Sequence, residues 1–340
     1  MPLHDTHINL AHGSGGKAMR ALIEELFVDT FGHVQPEDSA VLPLAALASR
    51  GDRLAFTTDS YVVDPLFFPG ADIGALAVAG TVNDLAVSGA CPLALSCGMV
   101  LEEGLEIDTL RRVAASMRDM ADRAGVSIVT GDTKVVERGA ADRLFINTAG
   151  IGVVPDGIAL SAGNARPGDQ VIVSGTVGDH GVAILIARNQ LALEAEVASD
   201  CQPLNGLVGT MLRSCPAIRC LRDATRGGVA TVLNEFAAAS GAGILIRERD
   251  LPLREPVRGA CEILGLDPLY LANEGKLLAV VPADAAGSLL EMMRSDPAGA
   301  DAAVIGEVTR EPAGMVVMKT IFGGERIVDM LTGDQLPRIC

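Results

Sequence analysis

The sequence holds no tryptophan, and only two tyrosines beside eight phenylalanines in 340 residues. A core of this chain must therefore be aliphatic, built from Ala, Val, Leu and Ile. The 49% hydrophobic content is ample for such a core, and the length suggests two domains. No C-x-x-C pair occurs, and the seven cysteines are an odd number. That fits neither a disulfide framework nor a structural zinc site, and predicts a reducing, cytoplasmic setting. The opening "MPLHDTHINLAHGSGG" has no basic start and no apolar run, so no secretory signal is expected. The most apolar stretch, "GALAVAGTVNDLAVSGACPLALSCGMVL", is broken by Asn83, Asp84, a proline and glycines, and is not read as a membrane span. Basic residues are scarce: 27 Lys and Arg against 43 Asp and Glu leave a net charge of -16. Such a surface repels phosphate backbones and excludes a nucleic-acid partner. A bound nucleotide stays open, provided metal ions offset the charge. A Walker A loop is absent, because Lys17 is followed by Ala18 where Ser or Thr is required.

What is present is an alternation of strand and helix patterns. "GKAMRALIEELFVDTF" places Met19, Leu22, Ile23, Leu26 and Phe27 at helical spacing. "RLAFTTDSYVV", "LALSCGMVLE", "SIVTGDTKVVE" and "LFINTAGIGVV" read as strands, with "IGALAVAGTVNDLAVSG" and "DTLRRVAASMRDMADRAG" as the helices between them. This predicts an α/β (α+β) layered fold. "PDGIALSAGNARPGDQ" is a Pro/Gly-rich break marking a domain boundary. Strands "QVIVSG", "GILIRE", "KLLAVV" and "AAVIGEV" then alternate with helices over "DATRGGVATVLNEFAAASG" and "DAAGSLLEMMRSD". A last strand within "GMVVMKTIF" precedes a thin tail from Gly323 to Cys340. The expected division is a lead-in and helix over 1–36, an N-terminal domain over 37–155, a C-terminal domain over 165–311, and a strand with a mobile tail over 312–340.

Three groups of residues could carry chemistry. "HGSGGKA" offers backbone N–H groups of Gly13, Ser14, Gly15 and Gly16 ahead of a helix, which could cradle phosphate; a plain helix lead-in is the competing reading. The acids Asp38, Asp59, Asp84, Asp132 and Asp223 are scattered, with no His or Cys pattern, and suit a hard ion such as Mg²⁺. Asp84 shares a small, polar helix stripe with Gly80, Thr81 and Ser88; a ligand-facing stripe and a solvent face are both open readings. Asp132 and Lys134 stand two apart on a strand and project from one face. Asn273, Glu274 and Lys276 sit at a strand entrance. Finally, the chain closes on the thiol of Cys340, behind Pro337 and Arg338.

Taken together, "HGSGG", "TTDSYVVDP", "GTVNDLAVSGA", "VTGDTKVV", "ALSAGNARPGD", "SGTVGDHG", "DATRGG", "LGLDPLYLANEGK" and the terminal "PRIC" resemble the HypE family of hydrogenase maturation proteins, from about Gly13 to Cys340. Ser39 is a departure, standing where Ala is expected. The resemblance implies a two-domain PurM-like architecture: an N-terminal sheet domain that dimerises, a C-terminal α/β domain and a flexible tail. It implies an ATP-dependent carbamoyl dehydratase that uses Mg²⁺. A HypF carbamoyltransferase would load a carbamoyl group onto Cys340, dehydration would give a thiocyanate, and the cyanide would pass to a [NiFe]-hydrogenase iron on a HypC–HypD scaffold. The same resemblance implies Glu274 as base and Lys134 as phosphoryl stabiliser, or the reverse. Nucleotide contacts would come from Gly13, Ser14, Gly15, Gly16, Asn83, Asp132, Thr133, Asn273 and Lys276, and metal contacts from Asp38, Asp59, Asp84, Asp132 and Asp223. The rival readings are a sibling enzyme of selenophosphate synthetase or thiamine-monophosphate kinase type, and a non-catalytic metal scaffold holding iron through Cys340.

Overall fold

Period-two alternation builds the first sheet. The computed structural model of the chain describes residues 3–32, 39–189, 197–333 and 336–340. Strands β1 (Arg53–Tyr61), β2 (Cys91–Glu102), β3 (Ser127–Val136) and β4 (Leu144–Val154) form a four-stranded sheet in the order β1-β4-β2-β3. The β2–β3 pair is parallel and the other pairs are antiparallel. Helices α2 (Ile73–Val87) and α3 (Ile107–Ala124) cover one face, sealing a core that includes Leu76, Val82, Met99, Leu110 and Met117. The opposite face is open. Leu54 and Phe56 stand on it 60% and 70% exposed, in line with Thr58 and Ser60.

A Pro/Gly-rich connection leads into a second, seven-stranded sheet of β5 (Gln170–Val173), β6 (Cys220–Asp223), β7 (Gly243–Arg247), β8 (Leu277–Val281), β9 (Ala303–Thr309), β10 (Val316–Lys319) and β11 (Glu325–Val328). Its order is β11-β10-β7-β9-β5-β8-β6. The run "LLAVV" of β8 is apolar at every position because both faces are covered. Leu278 and Val280 meet α6 (Gly228–Ser240) in one core, while Leu277, Ala279 and Val281 meet α5 (Asn205–Ser214) and α8 (Ala283–Arg294) in another. Helix α2 is buried nearly all round for the same reason: Ala86 and Val87, at its far end, pack on Leu204, Leu207 and Val208. Among the described residues no helix is long and apolar enough to cross a membrane.

Four expectations change. The first helix starts as expected with α1 (Lys17–Leu22), but its continuation over Ile23–Val28 is a π-helical turn. "DATRGG" is not helical; Asp223 ends β6, paired opposite Leu277, and α6 starts only at Gly228, because Gly227 and Gly228 turn the chain with φ of +73° and +59°. Helices α4 (Asp179–Ala187), α5 and α7 (Glu255–Leu264) lie outside the segments expected to be helical. The segment after Gly323 contains a strand, β11, and the final residues 336–340 are docked rather than free: Val62 N–H donates to the Cys340 carbonyl at 3.1 Å and Ile339 is 5% exposed.

Candidate active site

One group of expected site residues collects on β3. The lead-in crosses this strand at Gly13, where a Cβ would stand 2.9 Å from both Cβ and N of Val135; only glycine permits that approach. Below it, Lys134 Nζ donates to Asp132 Oδ1 at 2.8 Å, and both side chains are more than 60% exposed. This hydrogen bond, with the lysine charge behind it, holds the Asp132 carboxyl below its ordinary range. Thr133 points the other way and is buried. It borders a cavity of about 190 Å³, lined by Met19, Ile23, Phe27, Cys97 and Met99, that opens beside Asp132. No sequence signal pointed to this cavity, because its walls come from a helix and two strands distant in the chain.

A second group collects beneath the other edge of the sheet. The stripe on α2 faces protein at Gly80, Thr81 and Asp84 and meets solvent at Ser88. Gly80 admits the Tyr61 hydroxyl, Thr81 bonds Thr148 Oγ1 at 2.5 Å, and Asp84 accepts from Thr57 Oγ1 at 2.9 Å. Burial, with the Asp59 charge nearby, raises the Asp84 carboxyl. Asp223 is pushed up to about 7 by burial and by Asp84. Arg226 stands 3.8 Å from Asp59 at the rim. Glu274 is 3% exposed; burial first, then the charges of Asp200, Asp223 and Asp59, drive its carboxyl well above the usual range. Its Oε1 has no hydrogen-bond partner among the described residues.

The loop bearing Glu274 is clamped by one that no sequence pattern singles out. Glu274 N–H donates to Asp200 Oδ1 at 3.0 Å, and Lys276 Nζ lies 3.7 Å from Asp200 Oδ2. Gly275 makes the clamp possible: a Cβ there would fall 1.9 Å from the Asp200 carbonyl oxygen. The C-terminal residues complete the region. Ile339 and Leu336 share a cleft of about 430 Å³ with Arg226, Gly227 and Ala272, so the tail lies beside the 272–274 loop.

The expected residues therefore divide. Gly13–Gly16, Asp132, Thr133 and Lys134 gather at β3; Asp59, Asp84, Asp223, Glu274, Lys276 and the tail gather at β1 and the second sheet. β1 and β3 are opposite edges of a four-stranded sheet, about 14 Å apart at the usual strand spacing. Their site residues also project from opposite faces, since Asp132 lies opposite Gly98 and in line with Asn147, while Asp59 lies opposite the fully buried Thr148. Asp132 is thus corrected: within one chain it does not join the other acids. Asp38 lies outside the described residues. Asn83 and Asn273 are corrected as well. Asn83 Oδ1 accepts from Leu204 N–H at 2.7 Å and its amide donates to the Gln202 carbonyl at 3.1 Å. Asn273 Oδ1 accepts from Gly178 N–H, and its amide donates to the Ala224 and Leu271 carbonyls. Both are buried and fastened to backbone, so in this structure their side chains hold loops in place.

Among the described residues no three His, Cys, Asp or Glu side chains are arranged to hold a metal by themselves. Asp59, Asp84 and Asp223 nevertheless fit a magnesium ion that arrives on phosphate. That ion typically takes one or two carboxylates and fills its remaining positions with water and phosphate oxygens. The raised carboxyls of half-buried Asp84 and Asp223 are ones that a bound cation would favour in their charged form.

Known proteins share this two-domain fold. The family described as AIR synthase related protein matches through its N-terminal domain over residues 36–154 and its C-terminal domain over 166–319. The carbamoyl dehydratase HypE of Rhodobacter capsulatus is 57% identical over 340 residues, covering 100% of both chains. A crystal structure of hydrogenase maturation protein HypE in complex with ATP is 50% identical, with a TM-score of 0.91 over 97% of this chain and 99% of that one. A HypE chain solved in a HypE–HypF complex is 49% identical, with a TM-score of 0.80 over 92% of this chain and 100% of that one.

Proposed function

We propose, from the premise that this chain belongs to the HypE carbamoyl dehydratase family, that it dehydrates a carbamoyl group carried on the Cys340 thiol to a thiocyanate, at the expense of ATP. The observation that carries this reading is the docked tail. The terminal residues Leu336 and Ile339 line a cleft with Arg226 and Ala272, and Ala272 stands two residues before the buried carboxyl of Glu274.

The chemistry follows from the groups present. The oxygen of a thiocarbamate, S–C(=O)–NH₂, is a poor leaving group. Attack of that oxygen on the γ-phosphorus of ATP expels ADP, and loss of one N–H proton leaves a phosphorylated imidate. Loss of the second N–H proton as phosphate departs gives S–C≡N. Glu274 is the base: burial raises its carboxyl, which strengthens the carboxylate as a proton acceptor. Lys134 neutralises charge on the transferring phosphoryl group. Bound magnesium would offset phosphate charge from Asp59, Asp84 and Asp223. The glycine-rich lead-in covers the phosphates and excludes water, and the apolar cavity beside Asp132 suits a purine base.

Lys134 and Glu274 lie on separate faces within one chain, so the reading includes a homodimer through the open sheet face. Leu54 and Phe56 supply apolar area there. A twofold pairing of that face would bring the β3 group of one copy beside the β1 edge of the other. A HypF carbamoyltransferase loads Cys340 in a reducing cytoplasm, and a HypC–HypD scaffold carrying hydrogenase iron receives the cyanide. A metal-scaffold reading has no comparable support, and a phosphate-transferring sibling enzyme would have no use for a docked terminal cysteine.

Intact mass spectrometry tests the reading. The chain, incubated with a HypF carbamoyltransferase, carbamoyl phosphate and ATP, is expected to gain a carbamoyl group on Cys340 and then lose one water. An adduct on any other cysteine, or one that persists with ATP present, overturns it.

A further inference from the structure

We propose that His180 is a positioning residue that registers the terminal Ile339–Cys340 dipeptide, through a hydrogen-bond relay anchored on the loop that clamps Glu274. This rests on Cys340 being the carrier of the reacting group.

His180, on α4, is fully buried. Its Nε2 lies 2.8 Å from the Ile339 carbonyl oxygen and its Nδ1 lies 2.8 Å from Ser199 Oγ. A carbonyl only accepts, so Nε2 carries the proton and donates. Burial lowers the imidazole's proton affinity, so the ring is neutral and Nδ1 accepts from the Ser199 hydroxyl. Ser199 Oγ in turn accepts from Cys201 N–H at 3.1 Å. Every donor and acceptor in this chain then has one consistent direction. The Phe68 ring, edge-on at 5.4 Å between centroids, fixes the imidazole plane.

The relay joins two things that must meet. Ser199 N–H donates to the Pro69 carbonyl at 2.8 Å, which pins the loop to the first domain. Its neighbour Asp200 accepts from Glu274 N–H. One short loop therefore holds the terminal dipeptide at one residue and the proposed base at the next.

The remaining contacts use tail backbone and tail side chains: Arg338 Nε donates to the Val62 carbonyl at 3.0 Å, and the Ile339 side chain is buried in the first core. Arg188 donates to the Pro337 and Arg338 carbonyls at 2.9 and 2.7 Å, and Val62 N–H donates to the Cys340 carbonyl. His180 is the fully buried member of the set and the one connected to the Glu274 clamp.

The test is iodoacetamide labelling of the full chain without ATP, with peptide mapping of Cys340 and of the exposed Cys91. Losing one net hydrogen bond, His180→Leu should label Cys340 roughly five- to tenfold faster than the native chain. His180→Gln, whose amide can donate from a similar reach, should return to within about twofold. Ser199→Ala should fall between them, and decides the matter if the leucine variant fails to fold. Cys91 should label equally in all folded chains. In the complete reaction the same order should appear in the rate of water loss at unchanged KM for ATP. Equal Cys340 labelling in the native chain and the variants, or Cys91 accelerating in parallel with Cys340, overturns the proposal. Labelling needs no partner and no nucleotide, so a native chain that never dehydrates would sink the dehydratase reading and leave this measurement standing.

Discussion

The β3 pair and the buried acid group handle charge in opposite ways. Asp132 and Lys134 meet in solvent, where an ion pair contributes little to stability and the carboxyl is lowered by its partner. Asp84, Asp223 and Glu274 are crowded, half-buried to fully buried and raised, with Arg222 and Arg226 as nearby cations. The first arrangement costs the fold almost nothing. The second is an electrostatic strain that folding tolerates and that a cation or a proton would relieve. Function is best sought where the fold accepts such a cost, and Lys134 draws its importance from what it would meet across a dimer.

The sharpest way to break this contrast is to remove one member from each side. Glu274→Gln and Lys134→Ala should each slow dehydration by about a hundredfold or more while leaving carbamoyl loading intact, because loading is the partner's chemistry. They should differ in stability: loss of the exposed pair should leave Tm unchanged, whereas neutralising Glu274 should raise it. Mass spectrometry of the tail and calorimetry would check both. A Lys134→Ala chain that dehydrates at the native rate would remove the β3 group from the site.

Phe56→Glu places a charge on the open sheet face. Sedimentation is expected to show a dimer for the native chain and a monomer for the variant, and dehydration should fall with the dimer. A native chain that is monomeric at micromolar concentration would leave the two groups apart and the split site without a means of assembly.

Asp84→Asn should weaken ATP binding by about tenfold or more in magnesium, and have less effect without it, because a neutral amide is a poorer ligand for a hard dication. Titration calorimetry with and without magnesium gives the difference directly.

The smallest effect is on the pH dependence of stability. Asp223 binds its proton more tightly in the folded chain, with its pKa raised from 3.8 to about 7. Between those values the folded state holds more protons than the unfolded, so this group makes stability fall as pH rises through that window. Asp223→Asn should flatten the decline and raise Tm near pH 7 by about 3 °C, with little change near pH 4. An unchanged slope would show that Asp223 is not electrostatically strained.

Much of the local structure was legible in the residues. "LFINTAGIGVV" marks β4 from Leu144 to Val154, and period two puts Asp132 and Lys134 on one face. Asp84 could be placed on a small, polar stripe, but whether that stripe met water depended on Tyr61, Thr148 and Thr57, which no helical pattern encodes. Asn83 and Asn273 are expected as ligand contacts from the family resemblance; in the structure their side chains tie loops. Asp200 and His180 gave no signal of their own, since their partners are 74 and 159 residues away.

The sequence by itself determined the aliphatic core, the alternation of strands and helices, the absence of a Walker loop and the family, because these depend on composition, short-range periodicity and the identity of motifs. Tertiary structure alone decided which acids share a space, that Asp132 stands apart from them, and that the terminal dipeptide is held by His180. Those outcomes depend on burial and on hydrogen bonds between segments far apart in the chain, and neither is a property of any local stretch of residues.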